Sequence, residues 1–122
     1  MEKHEIGNWG EDVVCRYLRE RGCKILARNF HSRYGEIDVV AEDGEYTVFV
    51  EVKTRRSTRF GTPGEYVDSR KQEKLAKTAL TYLGGEDRAA RFDVAEVLYR
   101  LQNGIPVLET VSYIKNAFET QG

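Results

Sequence analysis

The chain is poor in the residues that build covalent staples and metal cages. It holds two cysteines, Cys15 and Cys23, and two histidines, His4 and His31. Two cysteines eight positions apart form neither a zinc framework nor a disulfide scaffold, and so few histidines exclude a His-rich metal site. Both thiols are expected to be reduced and at least half-buried. A dominant charge sign is missing as well: 19 Lys+Arg stand against 20 Asp+Glu, for a formal net charge of -1. A domain that merely coats nucleic acid is usually basic, so this balance speaks against tight non-specific binding but allows a locally basic surface. No apolar run approaches the ~20 residues that span a bilayer, and the opening MEKHEIGNWGEDVV has no apolar stretch of the secretory kind. The expectation is a cytoplasmic chain without membrane contact.

What remains is an ordinary globular composition. Hydrophobic residues make up 40% and charged residues 32% of 122 positions, which suits a single domain over residues 1–122 with a core of its own. Ile6, Trp9, Val13, Val14, Tyr17 and Leu18 recur at helical spacing over 5–21, and Gly22 follows as a stop. CKILARNFH (23–31) reads as a first strand. Residues 35–42 and 45–54 read as a second and third, joined by Asp43-Gly44, a two-residue hairpin signal. A loop over 55–66 carries Gly61, Pro63 and Gly64. A second helix starts near Asp68 or Ser69, with Ser69 and Gln72 spaced as a capping box, and ends at Gly84-Gly85. A strand over 91–98, a turn at Asn103-Gly104 and a further strand over 106–113 complete the order, with IKNAFETQG left unassigned. Helix, three strands, helix, strand predicts an α/β fold: a mixed central sheet flanked by helices, the second helix leading into a strand parallel to one of the first three.

The hairpin carries the chemistry. With Asp43-Gly44 as its loop, Glu42 faces Glu45, Asp38 faces Phe49 and Glu36 faces Glu51. Alternation then divides the side chains. Ile37, Val39, Ala41, Tyr46, Val48, Val50 and Val52 make one apolar face. Glu36, Asp38, Val40, Thr47, Phe49, Glu51 and Lys53 make the other. The plainer reading of that second face is a solvated one, as antiparallel sheets often have. Val40 and Phe49 argue that its middle is covered, and Glu36 opposite Glu51 is a destabilising like-charge pair. Partly covered carboxylates in a cluster call for a cation or a shifted pKa, and a hard divalent ion such as Mg²⁺ suits oxygen ligands. Asp38 and Glu51, as diagonal neighbours, are the expected ligands.

Asp38 followed thirteen residues on by Glu51-Val52-Lys53 is similar to the PD-(D/E)XK nuclease motif. Gly10-Glu11, GEIDVVA, FVEVKTR, RFGTPGEYVDSRKQEKL, Tyr82-Leu83, RFDV and NAF together resemble the YraN family of small bacterial proteins. The resemblance covers nearly the whole chain. It implies a restriction-endonuclease-like core in α-β-β-β-α-β order, related to archaeal Holliday junction resolvases, and an endonuclease-like activity dependent on Mg²⁺ or Mn²⁺. By the same resemblance Asp38 and Glu51 are metal-binding acids, Lys53 positions or activates the attacking water, and Glu11 is a further metal-binding acid contributed by the first helix. Gln72, or nearby Lys71, stands where related nucleases keep an auxiliary polar residue. Ile37 stands in place of the motif's proline.

Each of these positions has a plainer reading. Glu11 lines up with Val14 and Leu18 and so can point inward, yet an acid near a helix N-terminus is favourable in itself. Gln72 can be half of a capping box. Asp93 reads as structural, a charge in a parallel strand that needs a partner, with Arg91 at hand. Arg55, Arg56 and Arg59 follow the strand bearing Lys53 and suit phosphate through their planar fork, with Lys71 beside them as a nucleic-acid contact and Phe60 and Tyr66 able to stack on a base. The expected substrate is nucleic acid, DNA in the first place and branched or structured DNA among the candidates. The alternative is a non-catalytic nucleic-acid-binding module with a vestigial site. A homodimer is expected by analogy with junction resolvases alone.

Overall fold

A computed structural model of the chain describes residues 1–57 and 67–119. The elements run α1 (Lys3–Glu20), β1 (Lys24–Ser32), β2 (Gly35–Asp43), β3 (Tyr46–Arg56), α2 (Ser69–Leu83), β4 (Ala90–Gln102) and β5 (Ile105–Phe118). The strands form one sheet in the order β1-β2-β3-β4-β5. β1/β2, β2/β3 and β4/β5 are antiparallel, while β3/β4 is parallel. This is the mixed α/β sheet expected from the sequence, in α-β-β-β-α-β order with β5 added at one edge.

Each face of the sheet has its own helix because the strands alternate. On one side Val14, Cys15 and Leu18 of α1 meet Val39, Ala41, Val48, Val50, Ala95 and Val97. On the other, Leu75 and Ala79 of α2 meet Val40, Phe49, Phe92 and Val94. That second face also carries a run of ring contacts, Phe30–Tyr82–Phe49–Phe92–Phe118, with centroids 5.0–5.8 Å apart, a separation at which aromatic pairs attract beyond their buried area. α1 closes as a Schellman motif: Gly22 sits at φ 87°, and the Gly22 and Cys23 N–H groups donate to the Arg19 and Leu18 carbonyls. Cys15 and Cys23 are both free thiols, Cys15 buried and Cys23 half-buried, and burial pushes both thiols up.

Four local expectations are corrected. The hairpin loop is Gly44-Glu45, one residue later than expected, with Asp43 paired to Tyr46. Gly44 takes the positive φ (57°) at the first loop position, where a glycine is favoured. The shift moves the register by two residues, so the alternation survives but the partners change. Ile37 is buried on the α2 side, with Phe49 and Leu75, rather than beside Val39. The reason is a break in regular pairing around Asp38, opposite Asn29 at φ 53°. The N-cap of α2 is Asp68, whose carboxylate accepts the Lys71 N–H at 2.9 Å, and no capping box forms at Ser69. Last, β4 and β5 are longer than expected and β5 takes in most of the tail: a bulge between Phe92 and Val94, with Asn116 at φ 50°, lets pairing resume at Phe118.

Asp93 is 1% exposed. It accepts hydrogen bonds from Arg91 Nε (3.1 and 3.2 Å), the Tyr113 hydroxyl (2.5 Å) and the Asn116 backbone N–H (2.9 Å), and Arg91 also reaches Asp43 at 2.9 Å. Burial and the neighbouring Asp93 carboxylate push the Tyr113 hydroxyl up, so it stays a donor. This network pins β4 to β5 and is structural.

α1 comes closest to the sheet at Gly10. A Cβ there would overlap Thr54 Oγ1 and lie 2.9 Å from Thr54 Cβ. Gly10→Ala is therefore expected to cost about 1–3 kcal/mol, as overpacking does, and to lower the melting temperature by several degrees. Gly10→Ala with Thr54→Ala should regain part of that loss in a thermal melt. Equal melting of wild type and Gly10→Ala would show that α1 is not held by this close approach.

Candidate active site

β2 and β3 pair as far as Val39 and Val50 and then part. At the point of parting, Asp38 turns its side chain into the gap and Oδ2 accepts the Val52 N–H at 2.8 Å. The carboxylate takes the place of a ladder carbonyl. Across this gap the Glu51 charge acts on Asp38. The like-charge pair is thus Asp38/Glu51. Glu36 instead stands beside His31, 3.8 Å away and exposed.

Glu51 is 8% exposed in the middle of the sheet. α2 supplies its partner: Lys71, in the helix's first turn, places Nζ 2.5 Å from Glu51 Oε1. Burial alone would lower the Lys71 ammonium, but the hydrogen bond and charge of Glu51 outweigh it and leave it raised. Glu11 reaches the same region from α1, where it accepts Asn29 Nδ2 at 3.1 Å and Arg28 Nη2 at 3.3 Å. Arg28 also binds Asp12 at 2.6 Å and the Asn8 carbonyl.

Asp38 itself has its carboxyl pushed up to about 7. Burial is the largest cause, the Glu51 charge follows, and the Val52 N–H offsets them in part; Glu11 and Glu36 add smaller pushes. Lys53 follows Glu51 on the same face, half-buried, and its register partner on β4 is Glu96. Arg55 and Arg56 end β3 beside Leu98 and Tyr99. Gln72 is turned away: its Nε2 donates to the Val67 carbonyl at 2.7 Å and holds the start of α2. Arg59, Phe60 and Tyr66 lie outside the described residues.

A divalent ion has two side chains to hold it here, Asp38 and Glu51. Both are hard oxygen donors, and of the causes that raise the Asp38 carboxyl, burial first and the Glu51 charge second, a cation would offset the second. Among the described residues no three His, Cys, Asp or Glu side chains close into a ready cage, and Glu11 is engaged by Arg28 and Asn29.

The sequence profile of the family described as "Uncharacterised protein family UPF0102" matches residues 10–97. The chain belongs to UPF0102. This is the YraN family that the motifs resemble. A UPF0102 protein of Syntrophomonas wolfei is 49% identical over 117 residues, covering 93% of this chain and 97% of its own length. One from Caldicellulosiruptor saccharolyticus is 43% identical over 122 residues (97% and 100%), and one from Geobacter metallireducens is 43% identical over 122 residues (98% and 96%). The match to UPF0102 takes in Glu11, Asp38, Glu51, Lys53, Lys71 and Gln72 alike. Among the described residues no helix is long and apolar enough to cross a membrane.

Two residues of this UPF0102 site were missed in the sequence. Arg28 and Asn29 hold Glu11, and the signal was an asparagine within a strand, a residue type enriched at positive φ. The Asp38 environment also sets a pH dependence. Its folded-state pKa, about 7, lies above the ordinary 3.8, so between those values the folded chain binds more protons than the unfolded one. Stability from this group is full at low pH and is lost as pH rises through about 7. Metal-free protein should therefore melt progressively lower from pH 5 to pH 8, and Asp38→Asn should flatten that fall. Thermal melts in EDTA check it, and parallel pH profiles for the two proteins would show that Asp38 is not the titrating group.

Proposed function

We propose that the chain is a divalent-metal-dependent nuclease that hydrolyses phosphodiester bonds, with DNA as substrate. The observation that carries this reading is Asp38, a covered carboxyl turned into the parting of β2 and β3 to accept the Val52 N–H, and raised to about 7 by burial and the Glu51 charge. A chain selected for stability alone has little use for such a pair. Lys53 on the same face adds a cation next to the acids.

Asp38 and Glu51 would hold Mg²⁺ or Mn²⁺. When bound, such an ion supplies Lewis acidity and lowers the pKa of a coordinated water. Lys53 orients the attacking water and offsets charge developing on the scissile phosphate. Glu11 is held in place by Arg28 and adds negative potential beside Asp38. Arg55, Arg56 and Arg59 grip phosphates away from the reacting bond.

A second reading, a nucleic-acid-binding module that does not cut, is favoured by the contact between Lys71 and Glu51, which leaves one acid of the pair already neutralised. Cleavage separates the two. Single-stranded, duplex, flap and four-way DNA incubated with Mg²⁺ or Mn²⁺ should give products with at least one substrate. Lys53→Ala should slow cleavage by about 10²–10³-fold, the loss typical of one transition-state donor, while keeping a metal-induced rise in melting temperature. Asp38→Asn should lose both. Undiminished cutting by Lys53→Ala would refute the role given to Lys53, and failure of wild type to cut any of the four would favour the binding module.

The arginines give an independent check. Replacing Arg55, Arg56 and Arg59 by Ala should weaken DNA binding and reduce the slope of log K against log salt by about 0.9 for each phosphate that is no longer neutralised. An unchanged slope would put the DNA surface elsewhere.

A further inference from the structure

Lys71 differs in kind from Arg28, the other cation shown bound to an acid of this site. Arg28 is fixed by three acceptors: Asp12, Glu11 and the Asn8 carbonyl. Lys71 makes a single side-chain contact among the described residues, to Glu51 Oε1, while half of its side chain remains in solvent (49% exposed, against 9% for Glu51). Its backbone is held separately, since its N–H donates to the Asp68 cap. The anchor and the charge are therefore independent, and a flexible stem of four carbons ends in a point charge able to leave Glu51 without disturbing α2.

Glu51 is also one of the two carboxylates available to a divalent ion. An ammonium 2.5 Å from Glu51 Oε1 and a divalent cation on the same carboxylate would repel strongly at close range in a largely covered site. One must yield. The ammonium has solvent behind it and the ion has Asp38 as a second ligand.

We propose that Lys71 is an exchangeable counter-ion. It neutralises Glu51 in the metal-free protein, gives Glu51 up to a divalent ion, and carries the released charge to a substrate phosphate. The inference rests on the nuclease reading and deepens it: Lys71 is a substrate-binding residue that couples metal binding to phosphate binding. Because such coupling is reciprocal, the ion raises affinity for DNA and DNA raises affinity for the ion, both through one side chain. The alternative is a static ion pair, in which losing Lys71 merely leaves a buried carboxylate unpaired.

The two differ in sign. Mn²⁺ is titrated calorimetrically into DNA-free Lys71→Met, Lys71→Arg and wild type, with circular dichroism confirming the fold. Lys71→Met should bind Mn²⁺ roughly tenfold more tightly than wild type, a change of about 1.4 kcal/mol, because the competitor is gone. Lys71→Arg, with a fork suited to a carboxylate, should bind Mn²⁺ no better than wild type. If Lys71→Met does not fold, Lys71→Gln should show the same tightening. DNA binding is measured alongside, with Ca²⁺ as a non-cleaving divalent ion or with EDTA. With Ca²⁺ the neutral variant should bind DNA more weakly than wild type and with a salt slope lower by about 0.9, whereas in EDTA the two proteins should match. Unchanged or weaker Mn²⁺ binding by the neutral variant overturns the counter-ion role while leaving a metal-binding wild type, and so the nuclease reading, intact. Absence of Mn²⁺ binding in every variant and in wild type overturns both.

Discussion

The hydrogen bond from the Val52 N–H to Asp38 Oδ2 is the constraint on which the site depends. β2 and β3 cannot separate in mid-sheet without stranding backbone groups, and an unpaired buried N–H costs as much as a lost hydrogen bond with its desolvation. Asp38 satisfies that group with a side chain and so lets the strands part. The same act draws the carboxylate under cover and into the field of Glu51. Opening the sheet and concentrating negative charge are one event here, and the raised Asp38 carboxyl is its electrostatic consequence. The other interactions of the site follow from it: Lys71 answers Glu51, while Arg28 and Asn29 answer Glu11.

The chain shows what it does with a buried carboxylate when the purpose is structural. Asp93 receives a guanidinium, a hydroxyl and a backbone N–H, and so has a donor of each strength. No buried side-chain polar atom lacks a partner among the described residues, so covered polar groups are answered as a rule in this fold. Asp38, though covered, receives one backbone N–H and faces three acids, Glu51, Glu11 and Glu36. Among the described residues, then, one sheet holds two covered carboxylates in unlike settings, Asp93 with donors from three groups and Asp38 with a single backbone N–H.

Much of this was legible because strand alternation survives small errors. The expected loop was one residue early and the register two residues off, yet Asp38, Glu51 and Lys53 still fell on one side, since a shift of two preserves parity. Ile37 was misplaced because parity fails where pairing stops, and nothing in GEIDVVA marks that stop except the aspartate itself. Position along α2 was harder to read. Lys71 and Gln72 are adjacent, about 100° apart around the helix, and the capping-box spacing pointed to Gln72. Asp68 took the cap instead, which left Gln72 to the Val67 carbonyl and Lys71 to Glu51. Lengths in β4 and β5 were underread because Asn116 at φ 50° looks like a terminator and here serves a bulge whose N–H binds Asp93.

The sheet also explains why acids and arginines gather at one end. β3 is the strand where antiparallel pairing gives way to parallel pairing, and its two neighbours end differently. β2 leaves at Val39, while β4 runs beside β3 as far as Arg56 and Tyr99. Among the described residues, β3 from Glu51 onward is paired with β4 on one edge, and on the other Asp38 takes up the Val52 N–H. Glu51, Lys53 and Arg55 alternate along it on one face, so an acid, a lysine and an arginine are spaced two residues apart on a common ruler, ~7 Å per step. That step is close to the separation of successive phosphates along a nucleic-acid strand, and in open α/β sheets ligands settle outside the carboxyl ends of the strands. The geometry that lets Asp38 enter the sheet thus also sets Glu51, Lys53 and Arg55 in line along β3.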